Sequence, residues 1–345
     1  MGAAAPNIDI LVDGNEVPDG DFVSYVVERD MYQPDMATIV LSNQNDAHGD
    51  KYKVGAKVEV KVGKDSKSIY QGEVVGLEGV YKGGDTTKLI IRAMNKMHRL
   101  LRKRKSVTFT EKSDKDILSQ VVGDAGLSLE WKHQTSITYK HVYQHNQTDL
   151  EFLRTRAARL GCHIWCIGDK IYVQEPDLGK SGGPDLSVDE GGRLRAFTPR
   201  LSSAAVVKKV TVRGWNPETK ELIVGEAEAQ RSPLGSETAV TACGELGKEE
   251  TFTVDHPIWS KQEAEALAKA RLRDLNLTYI TGEAECAGSS EYELGTTVKI
   301  TANANGVDPF NGNYYIMGIT HRHTMPKAKD GGYVTILKLA RDAQK

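Results

Sequence analysis

Four groups of residues in this 345-residue chain have types and spacing that invite a chemical reading: His141 with His145, the cluster Cys162-His163-x-x-Cys166, the pair His321 and His323, and the cationic run Arg102 to Lys105. A zinc ion needs its ligands within about 2.0–2.3 Å of one point. If Cys162 to Cys166 is extended, both thiols share a face, but four residues at about 3.3 Å each hold them about 13 Å apart. His163 then points to the opposite face, so a capped helix leading into a half-buried hairpin is the expectation. His321 and His323 share a strand face and supply two ligands without a third, so a solvated edge or lumen-lining position is expected for them. Nothing in the sequence places a carboxylate beside His141 or His145. The run Arg102, Lys103, Arg104, Lys105 is short within a chain of formal net charge -2. It reads as an ion-paired contact or a solvated face, and no specific nucleic-acid binding is expected.

The sequence holds no Gly-x-Ser-x-Gly elbow, no His-Glu-x-x-His and no phosphate-binding Gly-Lys-Ser/Thr loop. Carboxylates are plentiful, yet none is singled out as the positioned pair that a glycosidase requires. Catalytic, cofactor and metal sites are therefore not expected, and the chain is not expected to be an enzyme. Hydrophobic residues make up 39% and charged residues 27%, with 33 glycines against 11 prolines, an ordinary composition tilted toward turns. No apolar run approaches the roughly 20 residues that cross a bilayer. The N-terminus lacks the basic and apolar regions of a signal peptide, so synthesis and folding in the cytoplasm are expected, with no membrane insertion. Cys162, Cys166, Cys243 and Cys286 are expected to be reduced thiols.

The elements that would carry these residues can be read from caps and periodicity. Thr148 with Glu151 three residues on forms a capping box, and Leu150, Leu153, Ala157 and Leu160 build one apolar stripe that Gly161 is placed to end. A hairpin about Gly168-Asp169 follows. Ser113 with Asp116 starts an earlier helix that stops at Gly126, and Ser260 with Glu263 starts a third over about 260–276. Residues 8–93 read as consecutive strands, as do the segments after Phe197, with Gly214-Trp215-Asn216-Pro217 taken as a turn. This predicts a mainly β chain in three parts: a first tube-like β-barrel domain over 1–100, an inserted α+β domain over 101–192, and a second barrel over 193–345.

The order Tyr143, Gln144, Thr148-Asp149-x-Glu151-Phe152-Leu153, Ala157, Gly161, running into an apolar strand, resembles the helix that marks the phage late control D family. The opening "SYVVERDM" before Pro34, and the valine strand leading to Gly214-Trp215-Asn216-Pro217, carry the same resemblance. That family comprises baseplate hub proteins of contractile phage tails and the N-terminal part of type VI secretion VgrG spikes. The resemblance implies a structural hub of a phage tail, tailocin or extracellular injection particle. In such machines a homotrimer joins a hexameric inner tube to a trimeric spike, beside other baseplate components. Relative to long VgrG proteins the sequence ends after the second barrel, so the spike is expected to be a separate polypeptide. A baseplate-associated cell-wall hydrolase is the alternative.

An internal repeat supports the trimer. "VGAKVEVKVG", "YQGEVVGLEGVY" and "GGDTTKLIIRA" recur in order as "LGTTVKITAN", "NYYIMGITHRH" and "GGYVTILKLAR", aligning Gly55 with Gly295, Gly76 with Gly318 and Gly83-Gly84 with Gly331-Gly332. Two related barrels per chain, assembled as a trimer, give a pseudo-six-fold ring that can match a hexamer. Candidate interface or scaffold residues are Arg102, Lys103, Arg104, Lys105, Thr148, Glu151, Phe152, Gly214 and Trp215, since Trp and Arg are favoured interface anchors.

Overall fold

A computed structural model describes residues 7–48, 50–82, 87–134, 137–189, 191–254, 257–304, 308–324 and 332–345. The chain is mainly β. Strands β1 (Ile8–Val12), β2 (Asn15–Glu16), β3 (Phe22–Asp30), β4 (Met36–Ser42), β5 (Lys57–Val62), β6 (Lys67–Val80) and β7 (Lys88–Met94) come first. Period-two alternation assigns their faces: in β4, Ala37, Ile39 and Leu41 are buried while Met36, Thr38, Val40 and Ser42 are half-buried. Those buried residues pack with Tyr25, Val27, Val60 and Ile91 as a first core.

A 3-10 turn at Lys96–Leu101, capped by the Asn95 side chain, leads into β8 (Arg104–Ser113), α1 (Asp114–Asp124), β9 (Ser128–Lys132), β10 (Thr138–Thr148), α2 (Asp149–Arg159), β11 (His163–Ile167) and β12 (Lys170–Gln174). Both capping boxes form, at Ser113/Asp116 and Thr148/Glu151. Both helices end at a left-handed glycine, Gly126 (φ 72) and Gly161 (φ 68). Beyond each glycine the chain turns back, with Leu127 N–H donating to Val122 O and Cys162 N–H to Ala157 O. Thr148→Ala removes one half of a capping box and is expected to cost about 1 kcal/mol in urea unfolding.

Two local expectations fail here for a tertiary reason. The hairpin β11–β12 turns at Gly168-Asp169 as predicted, but His163, Ile164, Trp165 and Cys166 are all buried, not half-buried. Ile164 and Cys166 face the helical core, while Trp165 faces the core of the C-terminal strands. The β8–β10 ribbon has no counterpart among the expected strands, because most of its residues are exposed and give no apolar alternation.

The remaining elements are β13 (Leu186–Ser187), β14 (Leu194–Leu201), β15 (Lys209–Asn216), β16 (Glu221–Glu228), β17 (Glu237–Thr238), α3 (Ala239–Ala242), β18 (Glu250–Val254), α4 (Lys261–Asn276), β19 (Ile280–Ala287), β20 (Thr297–Thr301), β21 (Gly312–Thr324), β22 (Gly332–Arg341) and β23 (Ala343–Gln344). α4 lays Ala264, Leu267 and Ala268 against Val210 and Val212 of the separate sheet β16-β15-β18. Gly214, Trp215 and Asn216 lie inside β15 and not in a turn. The turn comes next, held by the Asn216 side-chain oxygen Oδ1, which accepts from the Glu218 and Thr219 N–H groups. Gly214 is required for packing: a Cβ there would sit 2.5 Å from Ile258.

The large sheet runs β14-β19-β22-β21-β3-β4-β7-β6-β5-β1-β2, with β20 paired to β21 and β13 to β20. Its two halves repeat one another in detail. Gly55 (φ 92) and Gly295 (φ 77) both adopt left-handed backbone and donate to Val74 O at 2.8 Å and Ile316 O at 3.1 Å. The ladder then skips a residue, between Val74 and Gly76 in one half and between Ile316 and Gly318 in the other. The aligned glycines thus mark the same turn and the same bulge. Gly83, Gly84 and Gly331 lie outside the described residues. The correspondence also extends to strands that the sequence did not pair. β3–β4 and β14–β19 hold equivalent places, and each ladder skips a residue early, between Phe22 and Ser24 and between Leu194 and Ala196. The sheet is therefore one four-strand order, β14-β19-β22-β21 then β3-β4-β7-β6, laid down twice and spliced by the β21–β3 ladder.

Candidate assembly interface

The candidate residues fall into two separate places. Arg104, Lys105, Thr148, Glu151 and Phe152 converge where β8 meets the N-terminus of α2. Thr148 pairs with Arg104 in the ladder. Arg104 donates to Asn146 O at 2.6 Å and to Glu151 at 3.0 Å, and Lys105 reaches Asp149 at 2.7 Å. The two carboxylates stand at the positive end of the helix dipole and inside the cationic run, so three favourable interactions coincide. The Thr148 N–H and Arg104 hold the Glu151 carboxyl below its usual range. Phe152 is buried and stacks on Phe109, ring centroids 5.7 Å apart. Arg102 and Lys103 stay exposed.

Gly214 and Trp215 lie elsewhere, on β15. Trp215 is 44% exposed and shares its sheet face with Leu222, Phe252 and Val254, which are 60%, 68% and 55% exposed. The opposite face of that sheet is covered by α4.

Residues that the sequence did not flag lie at two open stretches along the large sheet. Among the described residues, β14 pairs only with β19, and the Gly76–Val80 stretch of β6 pairs only with β7. Each edge exposes apolar side chains: Leu77 and Tyr81 on one, Leu201 on the other. Leu77 and Leu201 were readable as apolar residues in strands, but no local pattern distinguishes an edge from a central strand.

The histidine pair departs from its expected setting. His321 and His323 are buried, because β21 is a central strand flanked by β22 and β3. His321 Nδ1 lies 2.9 Å from the Tyr333 hydroxyl, and burial pushes its pKa down to about 3. His141 and His145 are exposed on β10. Cys162, Cys166 and Cys286 are buried free thiols, and Cys243 is half-buried. Burial pushes Cys162 and Cys166 up to about 12.

His321 and a second buried group, Asp35, titrate with opposite consequences. The unfolded histidine takes up its proton near 6.5 and the folded one only near 3, so in that window the unfolded chain binds more protons and stability falls as pH falls. Burial pushes Asp35 from 3.8 up to about 7, against the pull of Arg29 at 3.5 Å. Its folded form keeps a proton that the unfolded form has released, so stability contributed by Asp35 is lost as pH rises toward 7. The two slopes oppose one another between about pH 4 and 6.5. Asp35→Asn removes one of them, so its unfolding free energy from urea titrations is expected to fall with acid more steeply than the wild type's, by up to about 1.4 kcal/mol per pH unit.

The fold these ladders define has known members. The tail protein of Neisseria meningitidis MC58 is similar with a TM-score of 0.74 and 14% identity, over 98% of this chain and 97% of that one. The 43 kDa tail protein of prophage MuSo2 from Shewanella oneidensis gives 0.74 and 14%, over 99% and 100%. A component of the E. coli type VI secretion system, described as structurally similar to the T4 bacteriophage tail proteins gp27 and gp5, gives 0.64 and 12%, over 96% and 76%. The chain thus has a fold shared by phage-tail and type VI secretion proteins. No curated protein matches the sequence. The family described as the Alg8 N-terminal domain matches residues 3–324, and the chain belongs to that family.

Proposed function

We propose that this chain is a structural baseplate hub of a contractile injection system, of the late control D kind, and not an enzyme. Three copies form a ring that joins a hexameric inner tube to a separate trimeric spike. Each repeat of the large sheet serves as one tube-like barrel segment, and the part over 101–192 is carried outside it.

The observation that carries this reading is the pair of open edges. Within the chain, β21 of one repeat is joined to β3 of the next, Gly318 opposite Asp30 through Thr324 opposite Ser24. β6 is the equivalent of β21, and β14 the equivalent of β3. Carrying the same register to a neighbouring copy sets Leu77 opposite Leu201, Glu78 opposite Arg200, Gly79 opposite Pro199 and Tyr81 opposite Phe197. Exposed apolar residues meet, and opposite charges meet. Ser202 N–H donates inward to Tyr279 O at 2.8 Å, which turns the backbone groups of Leu201, Pro199 and Phe197 outward. Pro199 therefore lacks its donor only on the open edge, where proline is tolerated. Such a contact is heterologous, head to tail, and closes a ring by strand addition. Three copies place six similar repeats around one axis.

The fold shared with tail and type VI secretion proteins supports the same assignment. The exposed face around Trp215 and the cations Arg102 and Lys103 are then the surfaces left for other baseplate components. The test is the mass of the purified protein in solution, alone and co-expressed with a spike. A trimer, or three hubs on three spikes, is the expected result. A strict monomer that ignores the spike overturns the proposal and reopens the hydrolase alternative.

A further inference from the structure

Strand β18 is a sheet edge without the usual protection. The small sheet runs β16-β15-β18, and among the described residues β18 pairs only with β15. Lys208 N–H donates to Glu249 O at 2.8 Å. Inward and outward residues alternate along a ladder, so the N–H and C=O groups of Glu250, Phe252 and Val254 face away from β15. Sheet edges are commonly blunted by charged residues, proline or a bulge. The edge strand β14 carries Pro199, and β16, on the other side of the small sheet, carries Glu221, Glu226 and Glu228. β18 reads Glu-Thr-Phe-Thr-Val, with one charge at its start, no proline and no skipped residue in its ladder, and four of its five residues are exposed.

The exposed face of this sheet states what a further strand must present. Its first cross-strand row is Glu228, Lys209 and Glu250. Lys209 is bonded to Glu226 of the next row at 2.9 Å, so Glu228 and Glu250 make no ion pair among the described residues. The three glutamates outnumber the cations of the face, Lys209 and Arg213, and the Arg213 guanidinium is placed 5.9 Å from the centroid of the Phe252 ring. Beyond Glu250 the edge offers Phe252 and then Val254, both exposed. A strand laid beside β18 thus meets a carboxylate, an aromatic ring and a valine at every second residue. Opposite charges and apolar pairs stabilise a ladder when they stand directly across it.

We infer that β18 takes up an extended segment of a partner protein as an added strand, whose alternate residues are a lysine or arginine followed by two apolar side chains. Backbone hydrogen bonds then supply the affinity and the exposed face the selectivity. This deepens the hub reading, which leaves the face around Trp215 to another component. Binding is measured on its own, so its failure leaves the mass of the ring as a separate question.

Selection of displayed random peptides on the full-length protein tests it. The expected result is enrichment of sequences with Lys or Arg two residues from the nearer of two alternating valine, isoleucine or aromatic positions. Glu250→Lys changes an exposed residue without an ion pair, so the melting temperature should hold. The variant should weaken these peptides about threefold to tenfold and turn a fresh selection toward Asp or Glu at the cationic position. N-methylation of the synthetic peptides separates strand addition from simple apolar contact. Methyl groups on one alternate set of backbone nitrogens should weaken binding at least about tenfold, and those on the other set should have little effect. No enrichment, enrichment without the cation, peptides indifferent to Glu250→Lys, or equal sensitivity of both sets of nitrogens would overturn the proposal. Phe252→Pro removes an outward N–H and leaves the ladder to β15 intact. A mass that doubles as the protein is concentrated, but not in Phe252→Pro, would also overturn the proposal, in favour of a second copy of the chain on this edge.

Discussion

Oxidation of a Leu77→Cys, Leu201→Cys double variant is expected to link neighbouring copies of the chain into covalent trimers, while Leu77→Cys with Arg200→Cys gives little or no linkage. The register proposed for the ring places residues 77 and 201 directly opposite one another as a hydrogen-bonded pair, with Cα atoms about 5.5 Å apart. A disulfide spans Cα separations of about 4.4–6.8 Å. Moving one cysteine by a single residue turns its side chain to the other face of the sheet, so the shifted pair reads register and not mere proximity. Background from native thiols should be low, because Cys162, Cys166 and Cys286 are buried; Cys243, only half-buried, is changed to serine in all variants. Both side chains replaced are exposed, Leu77 at 37% and Leu201 at 40%, so the fold of the protomer is not at stake. A non-reducing gel with monomer only, or with equal linkage in both pairs, rejects this ladder. The native mass then decides whether a ring exists by some other contact.

What the sequence made legible was whatever is encoded locally. Ser113 with Asp116 and Thr148 with Glu151 announce helix starts because both halves of each capping box lie within four residues. Gly126 and Gly161 announce the ends through a backbone conformation that other residues adopt at a cost. Gly76 and Gly318 betrayed a repeat because a bulge favours a small residue at the same place in each half. The rest depends on contacts between distant segments. Strand β14 equals β3 in pairing and bulge, yet Phe197 stands where Tyr25 does and Pro199 where Val27 does, so no residue identity survives to align. His321 and His323 read as solvated because polar type predicts exposure, whereas a central position in the sheet buries whatever the strand carries. The candidate edge of β6 was invisible for the converse reason. An open edge is defined by which strand is missing, and alternation within Gly76 to Tyr81 is the same with or without a neighbour.

The largest expected loss of stability comes from the ion pair that ties the two helices of the α+β part together. Arg156 of α2 donates through Nε to Asp114 of α1 at 2.5 Å, with side chains only 9% and 5% exposed, and the guanidinium lies 4.6 Å from the Tyr139 ring centroid. Asp114→Ala leaves that guanidinium buried without its counter-charge, and removing one partner of a buried pair costs about 3–5 kcal/mol. Lys140 with Glu218 is the natural comparison, since its side chains are 56% and 44% exposed. Glu218→Ala should cost no more than about 1 kcal/mol, because solvent screens the pair and both chains regain freedom. Urea unfolding of the two variants separates burial from mere pairing. If Asp114→Ala costs no more than Glu218→Ala, the buried charge is being met by something else. The double variant Asp114→Asn, Arg156→Met carries the argument one step further. It removes both charges at once, so much of the lost stability should return, although methionine gives up the cation–π contact with Tyr139. A double variant as unstable as Asp114→Ala alone would mean that the pair contributes net attraction and not only mutual relief from an unpaired buried charge.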